Sequence, residues 1–249
     1  QTGGILRYDP EKPSLTIHSR GYRNPWDIAF DSSFNWLGTD NDQTGGDRVF
    51  MPFQNAHFGW GHPWSPAWPG EGHLPTAPNS GQIIEGSYTG IVFADTPHLP
   101  ESHRGVWFVA DWMTKKLYLY RPEWKGALNV PQGGRYEDFV IGGKSLFRPT
   151  DIAMGPDGAL WALGWGVEYY GIVDAQGNQT NEGRVYRIVA KDRPMVKSQR
   201  PGEPHTEWSF DELLADLGSW IPAWQIDARD ELVRRGGEGV GPLMAALEK

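Results

Sequence analysis

The chain of 249 residues contains no cysteine. That absence excludes disulfides, thiolate-bound zinc, iron–sulfur clusters, a cysteine nucleophile and covalently attached c-type haem within it. Long apolar runs are missing too, and nothing approaches the ~20 residues that a helical membrane span needs. Basic residues are in deficit, 23 against 31 acids, for a net charge of −8. A grip on nucleic-acid phosphates needs a basic face, so no nucleic-acid partner is expected. Helix-compatible composition is also short. Glycine (32) and proline (20) make up about a fifth of the chain and interrupt helices, which disfavours an all-helical bundle. What remains is heavy in tryptophan, with 13 copies, and the 39% hydrophobic and 22% charged fractions permit a packed core.

Two architectures meet near residue 205. Upstream, short runs rich in aromatic and β-branched residues read as strands: Gly4–Tyr8, Asp47–Phe50, Val106–Val109, Lys116–Tyr120, Ala159–Leu163 and Arg184–Ile188. Turn signals such as Pro156-Asp157-Gly158 separate them. Such a pattern means a sandwich, barrel or propeller. An internal repeat chooses among these. Pro25-Trp26-Asp27-Ile28-Ala29 returns 124 residues on as Pro149-Thr150-Asp151-Ile152-Ala153, each copy followed by a turn and a Trp-Leu or Leu-Trp pair. At roughly 40–50 residues per blade, that offset amounts to three blades or two long ones. The expectation is therefore an all-β propeller over 1–190, present as about three blades of a larger, six-bladed ring, since three blades do not close.

Residues 191–208 read as a polar linker, and the period then changes. Ser209-Phe210-Asp211-Glu212 is a capping box ahead of Leu213, Leu214 and Leu217. Pro222 opens a second helix with Trp224, Ala228 and Leu232 on one face, Gly236-Gly237 ends it, and a third starts at Pro242. Residues 209–249 are thus expected to begin an α-solenoid.

The polar residues gather in a few places. Asp40, Asn41, Asp42 and Asp47 form an acidic loop whose oxygens suit Ca²⁺, although the spacing is not that of an EF-hand; an Asx-rich turn satisfying its own backbone is the alternative. Arg23 and Arg148 precede the two repeat copies, and two planar, permanently charged forks at related turns suit a shared anionic ligand; capping of sheet edges is the alternative. His57 and His62 lie in an aromatic loop at a spacing that fits neither a helix nor a strand face, which favours packing over metal ligation.

The ordered set Gly21-Tyr22-Arg23-Asn24-Pro25, the acidic loop ending at Asp47, His57-Phe58-Gly59-Trp60 and Arg148-Pro149-Thr150-Asp151 resembles the soluble quinoprotein glucose and sorbosone dehydrogenases, which are six-bladed propellers. It is most similar to planctomycete-type membrane-bound dehydrogenase propellers, in which HEAT repeats and a c-type haem domain follow. Residues 209–247 look like the first HEAT unit, notably Asp230-Glu231-Leu232-Val233-Arg234-Arg235-Gly236. The resemblance implies that Arg23, Asn24, Arg148 and a lysine, Lys115 or Lys116, hold pyrroloquinoline quinone (PQQ). It implies Ca²⁺ near Asp40, Asp42, Gln43 and Asp47, with Asp42-Gln43 standing where the family has glycine-proline. Thr150 replaces the family's second arginine. The resemblance implies that the catalytic base, a histidine, belongs to an earlier blade, absent from this chain. The implied function is oxidation of a sugar or alcohol in the periplasm or another extracytoplasmic compartment, with electrons leaving to a haem domain or cytochrome. Two other functions fit the residues alone: a noncatalytic propeller binding carbohydrate or protein through Trp60, Trp64 and Trp68, and a Ca²⁺-dependent lactonase or hydrolase using Asp40, Asp42 and Asp47.

Overall fold

The computed structural model describes residues 3–41, 47–60, 77–81, 86–142, 147–166, 176, 178 and 183–248. The chain divides into two compact units. The first comprises Gln1–Ala94, Gly105–Ala153 and Trp161–Tyr186, and is built of antiparallel sheets.

β1 (Gly3–Asp9) and β2 (Ser14–Tyr22) form a two-stranded ribbon. β3 (Pro25–Phe30), β4 (Trp36–Asp40) and β5 (Arg48–Phe50) form a three-stranded sheet in chain order. A four-stranded sheet follows: β6 (Tyr88–Ala94), β7 (Val106–Asp111), β8 (Lys116–Tyr120) and β11 (Glu137–Ile141) lie side by side in that order. Between its last two strands the chain makes a separate hairpin of β9 (Pro122–Lys125) and β10 (Leu128–Pro131). β12 (Pro149–Met154), β13 (Leu160–Gly164) and β14 (Arg184–Ile188) make the last sheet. Successive meanders of three or four antiparallel strands are the blade pattern of a propeller-like fold.

The two copies of the sequence repeat are the opening strands β3 and β12. A third opening strand, β6, lies between them, so the repeat offset spans two blade steps rather than three. Tyr88-Thr89-Gly90-Ile91 stands where the outer copies have Pro-Trp-Asp-Ile and Pro-Thr-Asp-Ile. Glycine is required at position 90, because a Cβ there would lie 2.5 Å from Asp151 Oδ1 and 2.6 Å from the Ile152 nitrogen. The three opening strands are tied together. The Trp26 indole donates to the Thr150 carbonyl at 3.0 Å, Thr89 Oγ1 donates to the Pro149 carbonyl at 2.9 Å, and the Ile91 N–H donates to Asp27 Oδ2 at 3.0 Å.

Leu37 and Val49 from one sheet and Tyr88, Ile91, Trp107, Val109, Tyr118 and Tyr120 from the next make one core cluster. β3 alternates between half-buried and exposed positions, while β5 and β7 are buried along their whole length and β7 reads as a near-continuous apolar run. Fully burying one such side chain contributes about 1.5–3 kcal/mol.

The second unit comprises Asp95–Arg104, Met154–Leu160 and Arg187–Lys249. His98 fastens its pieces, with Nδ1 bonded to the Pro194 carbonyl and Nε2 accepting from the Ala190 N–H. The first two helices start and stop where the sequence says, while the third begins at Val240, two residues before the expected Pro242. α1 (Phe210–Leu217) opens with the Ser209–Glu212 capping box, α2 (Pro222–Arg235) has proline at its start and Gly236 at φ 59° after its end, and α3 (Val240–Leu247) follows. Trp208, Leu213, Ala228 and Leu232 form their core.

Candidate functional site

The register of each sheet places the start of one strand against the end of the next, and the polar residues of the first unit collect there. Pro25 pairs with Asp40, Asp40 with Arg48, Tyr88 with Asp111, and Asp111 with Lys116. The Trp165 N–H bonds the Arg148 carbonyl at the corresponding place in the last sheet. Hydrogen bonds join these ends into one rim. Asn41 Nδ2 donates to Ser87 Oγ, the Tyr88 N–H to Asp47 Oδ2, and Arg148 Nη1 to the Trp112 carbonyl at 3.2 Å.

Asp40 is the centre of the first sheet's share of the rim. It has no exposed surface. Its Oδ1 accepts from the Asn24 N–H at 2.8 Å and the Arg23 N–H at 3.2 Å, and its Oδ2 takes both Nε and Nη2 of Arg48. Arg48 reaches on to the carbonyls of Phe58 (2.9 Å) and Gly21 (3.3 Å), tying the aromatic loop to the turn before β3. Burial pushes the Asp40 carboxyl above the usual carboxylate range, and the guanidinium and the two N–H groups pull it back. With both oxygens engaged, Asp40 offers no ready position to a metal ion. The expectation of Asp40 as a Ca²⁺ ligand therefore gives way to a buried ion pair with Arg48. Asp47 is buried and holds the Tyr88 N–H, while Asp42 and Gln43 lie outside the described residues, as do His62, Trp64 and Trp68. Among the described residues no group of three or more His, Asp or Glu is placed to hold a metal.

The two predicted arginines both come to the rim, in similar settings. Arg23 lies over Trp60, its Cζ 5.8 Å from the ring centre, and Nη1 donates to the Asn41 carbonyl at 3.2 Å and Oδ1 at 3.0 Å. Arg148 lies over Trp112 at 4.3 Å, with Nη1 on the Trp112 carbonyl and its buried Nε without a hydrogen-bond partner. Stacking on an indole fixes the plane of a guanidinium while leaving donors on its edge. Asn24 enters the network through its main chain. Lys116 does not join the arginines, because its Nζ binds both oxygens of Asp138 on β11 at 2.9 and 3.0 Å. Lys115 sits in the β7–β8 turn at φ 61°. His57 is a packing residue at this edge: its Nδ1 accepts from the Gly59 N–H at 2.9 Å, and its ring fills the space that a Cβ on Gly21 would need.

Asp111 is the rim residue that the sequence reading passes over. It ends β7 as Asp40 ends β4, is fully buried, and its Oδ1 accepts from the N–H groups of Ser87, Met113 and Thr114 at 3.0–3.1 Å. Burial raises its carboxyl above the ordinary range, with the three N–H groups acting the other way. The signal was present in the sequence, since Trp36–Asp40 and Val106–Asp111 are both apolar runs closed by an aspartate.

No protein-family model matches the chain, and no curated protein matches it. Solved structures do. The PQQ-bound aldose sugar dehydrogenase from Streptomyces coelicolor aligns at 20% identity with a TM-score of 0.51, over 74% of this chain and 52% of that one. The apo soluble aldose sugar dehydrogenase from Escherichia coli aligns at 19% identity and a TM-score of 0.50, over 69% and 46%. A putative oxidoreductase (glucose dehydrogenase) from Thermus thermophilus aligns at 21% and 0.50, over 68% and 46%. The fold is therefore propeller-like, similar to these structures over the aligned part. The chain spans about half the length of the structures it matches.

Proposed function

We propose that this chain is part of a PQQ-dependent dehydrogenase of the sugar- or alcohol-oxidising kind. One observation carries the reading: two arginines, at corresponding turns of one rim, each have the guanidinium over an indole ring and one Nη donating to a carbonyl. Edge-on donors of fixed plane suit the carboxylates of a rigid planar ligand. The buried, unpartnered Nε of Arg148 is a donor in want of an acceptor, which fits such a ligand. PQQ, when bound, supplies a two-electron oxidant. Arg23, Asn24 and Arg148 would hold it, with Lys115, on the β7–β8 turn that follows Trp112, as the lysine. The rim's own residues bind and orient; Asp40 does not fit a Ca²⁺ ligand set, and no metal step is assigned to it.

The same reading places the strands of 1–190 in a ring completed by further blades, with 191–208 as a linker and 209–249 as the first helices of a HEAT-like array. A haem domain or cytochrome is the electron acceptor, and the compartment is periplasmic or otherwise extracytoplasmic. No helix among the described residues is long and apolar enough to cross a membrane.

Titration of the full-length protein with PQQ tests this, comparing wild type with Arg23→Ala and Arg148→Ala. Each loss should weaken binding by roughly 1.5–3 kcal/mol, the range for hydrogen bonds to charged groups. A lysine at either position should restore only part of it. Wild-type protein that binds no quinone refutes the dehydrogenase reading, and ester hydrolysis dependent on Ca²⁺ would put a lactonase-type propeller in its place.

A further inference from the structure

We propose that Asp111 is the positioning residue that sets both rim arginines, acting on Arg23 through Ser87 and on Arg148 through Trp112. The purpose assigned to it rests on the anion-binding reading above; the geometry does not.

Two branches leave one carboxylate oxygen. In the first, Asp111 Oδ1 accepts the Ser87 N–H at 3.0 Å. Ser87 Oγ in turn accepts from Asn41 Nδ2, and the same Asn41 receives Arg23 Nη1 on both its side-chain and main-chain oxygens. In the second, Oδ1 accepts the N–H groups of Met113 and Thr114, which folds the chain back just after Trp112. The Trp112 N–H is fixed on the Ser87 carbonyl at 2.9 Å, its own carbonyl receives Arg148 Nη1, and its ring carries the guanidinium. A single buried acceptor therefore stands behind two guanidiniums that belong to different sheets.

The comparison with Asp40 shows why this role needs only an acceptor and not a charge. Both aspartates close the second strand of a sheet opposite the start of the first. The cross-strand neighbour of Asp40 is Arg48, which binds it. The cross-strand neighbour of Asp111 is Lys116, which is turned to Asp138. Asp111 Oδ2 is left buried without a partner and packs over Gly86, where a Cβ would lie 2.1 Å from it. Asparagine at 111 keeps the oxygen that accepts three N–H groups; alanine does not. Alanine at 86 leaves Asp111 chemically intact but displaces its carboxylate.

Side-chain NMR of the ¹⁵N-arginine-labelled protein reads the arginines without any ligand. In the wild type the Nε–H signals of Arg23 and Arg148 should be shifted by their indoles. Asp111→Ala and Gly86→Ala should move both signals toward the free-arginine position, and Asp111→Asn should leave both in place. Quinone affinity should follow, falling about tenfold in the first two variants and little in the third. If Asp111→Ala does not fold, Ser87→Ala decides: it removes the Oγ acceptor alone, so only the Arg23 signal should move. Arginine signals unchanged in folded Asp111→Ala, or an asparagine variant that behaves as alanine, would overturn the proposal. So would Ser87→Ala moving both signals or neither. A wild type that binds no quinone but shows this pattern of arginine shifts refutes the dehydrogenase reading and leaves the role of Asp111 standing.

Discussion

Replacing Arg48 with methionine should lower the unfolding free energy by about 3–5 kcal/mol, the usual consequence of removing one partner from a buried ion pair. Methionine preserves most of the apolar stem, whereas the guanidinium carbon, which lies over the rings of Tyr22 and Phe58 at 5.9 and 5.5 Å, is removed. The loss is thus the guanidinium itself, with its bonds to Asp40 and to the carbonyls of Phe58 and Gly21. Asp40 would remain fully buried, held only by the N–H groups of Arg23 and Asn24. Burial already pushes this carboxyl up, and without the guanidinium it should rise further and take up a proton in the folded variant. The native variant then binds more protons than the unfolded chain, so its stability rises as pH falls, and its deficit relative to wild type should shrink toward the acid range. Urea denaturation at neutral and mildly acidic pH, with and without high salt, measures this. The double variant Asp40→Leu/Arg48→Met should recover much of the deficit, because no unpaired buried charge is left. A deficit below about 1 kcal/mol, or one abolished by salt, would show that the pair behaves as an exposed salt bridge and would refute the argument.

Three further outcomes follow from the packing and the charges. Gly38→Ala should destabilise by about 1–3 kcal/mol, because its Cβ would sit 2.5 Å from the Phe50 ring and 2.8 Å from the Asp27 carbonyl; an unchanged melting temperature would contradict this. Ser209→Ala removes the cap of α1 and should cost about 1 kcal/mol, with faster exchange of the Glu212 amide as the local readout. The raised carboxyl of Asp111 means that the folded wild type binds a proton more tightly than the unfolded chain, so stability is lost as pH rises from the ordinary carboxylate value through the raised one. Asp111→Asn removes that dependence, and denaturation midpoints should shift in the variant's favour as pH rises; a difference that stays flat with pH would count against it.

The architecture was legible where local chemistry decides it. Strands rich in valine, tyrosine and tryptophan formed as the pattern implied, and the capping box and Pro222 opened helices because both act within one turn. The middle opening strand escaped notice because Gly90 breaks the repeat, and the reason for glycine is a contact with Asp151, distant in sequence. Asp40 was misread for the same kind of cause. A carboxylate in a polar loop looks like a metal ligand until register sets Arg48 directly across from it. Arg23 and Arg148 stand out in the sequence because arginine is conspicuous before a repeat; that the aromatic loop's Trp60 and, just past β7, Trp112 lie beneath their guanidiniums depends on contacts between residues distant in sequence.

Gly90 also bears on how this chain should be engineered. Averaging the three opening strands, as a consensus design does, would write aspartate at position 90, since two of the three copies carry it. That change would bring a third carboxylate up against Asp151, beside an Asp27 already pushed up by burial and by its neighbour's charge. The copies can therefore resemble one another only so far: symmetry among these opening strands is self-limiting, and the odd residue out is the one that leaves room for the other two.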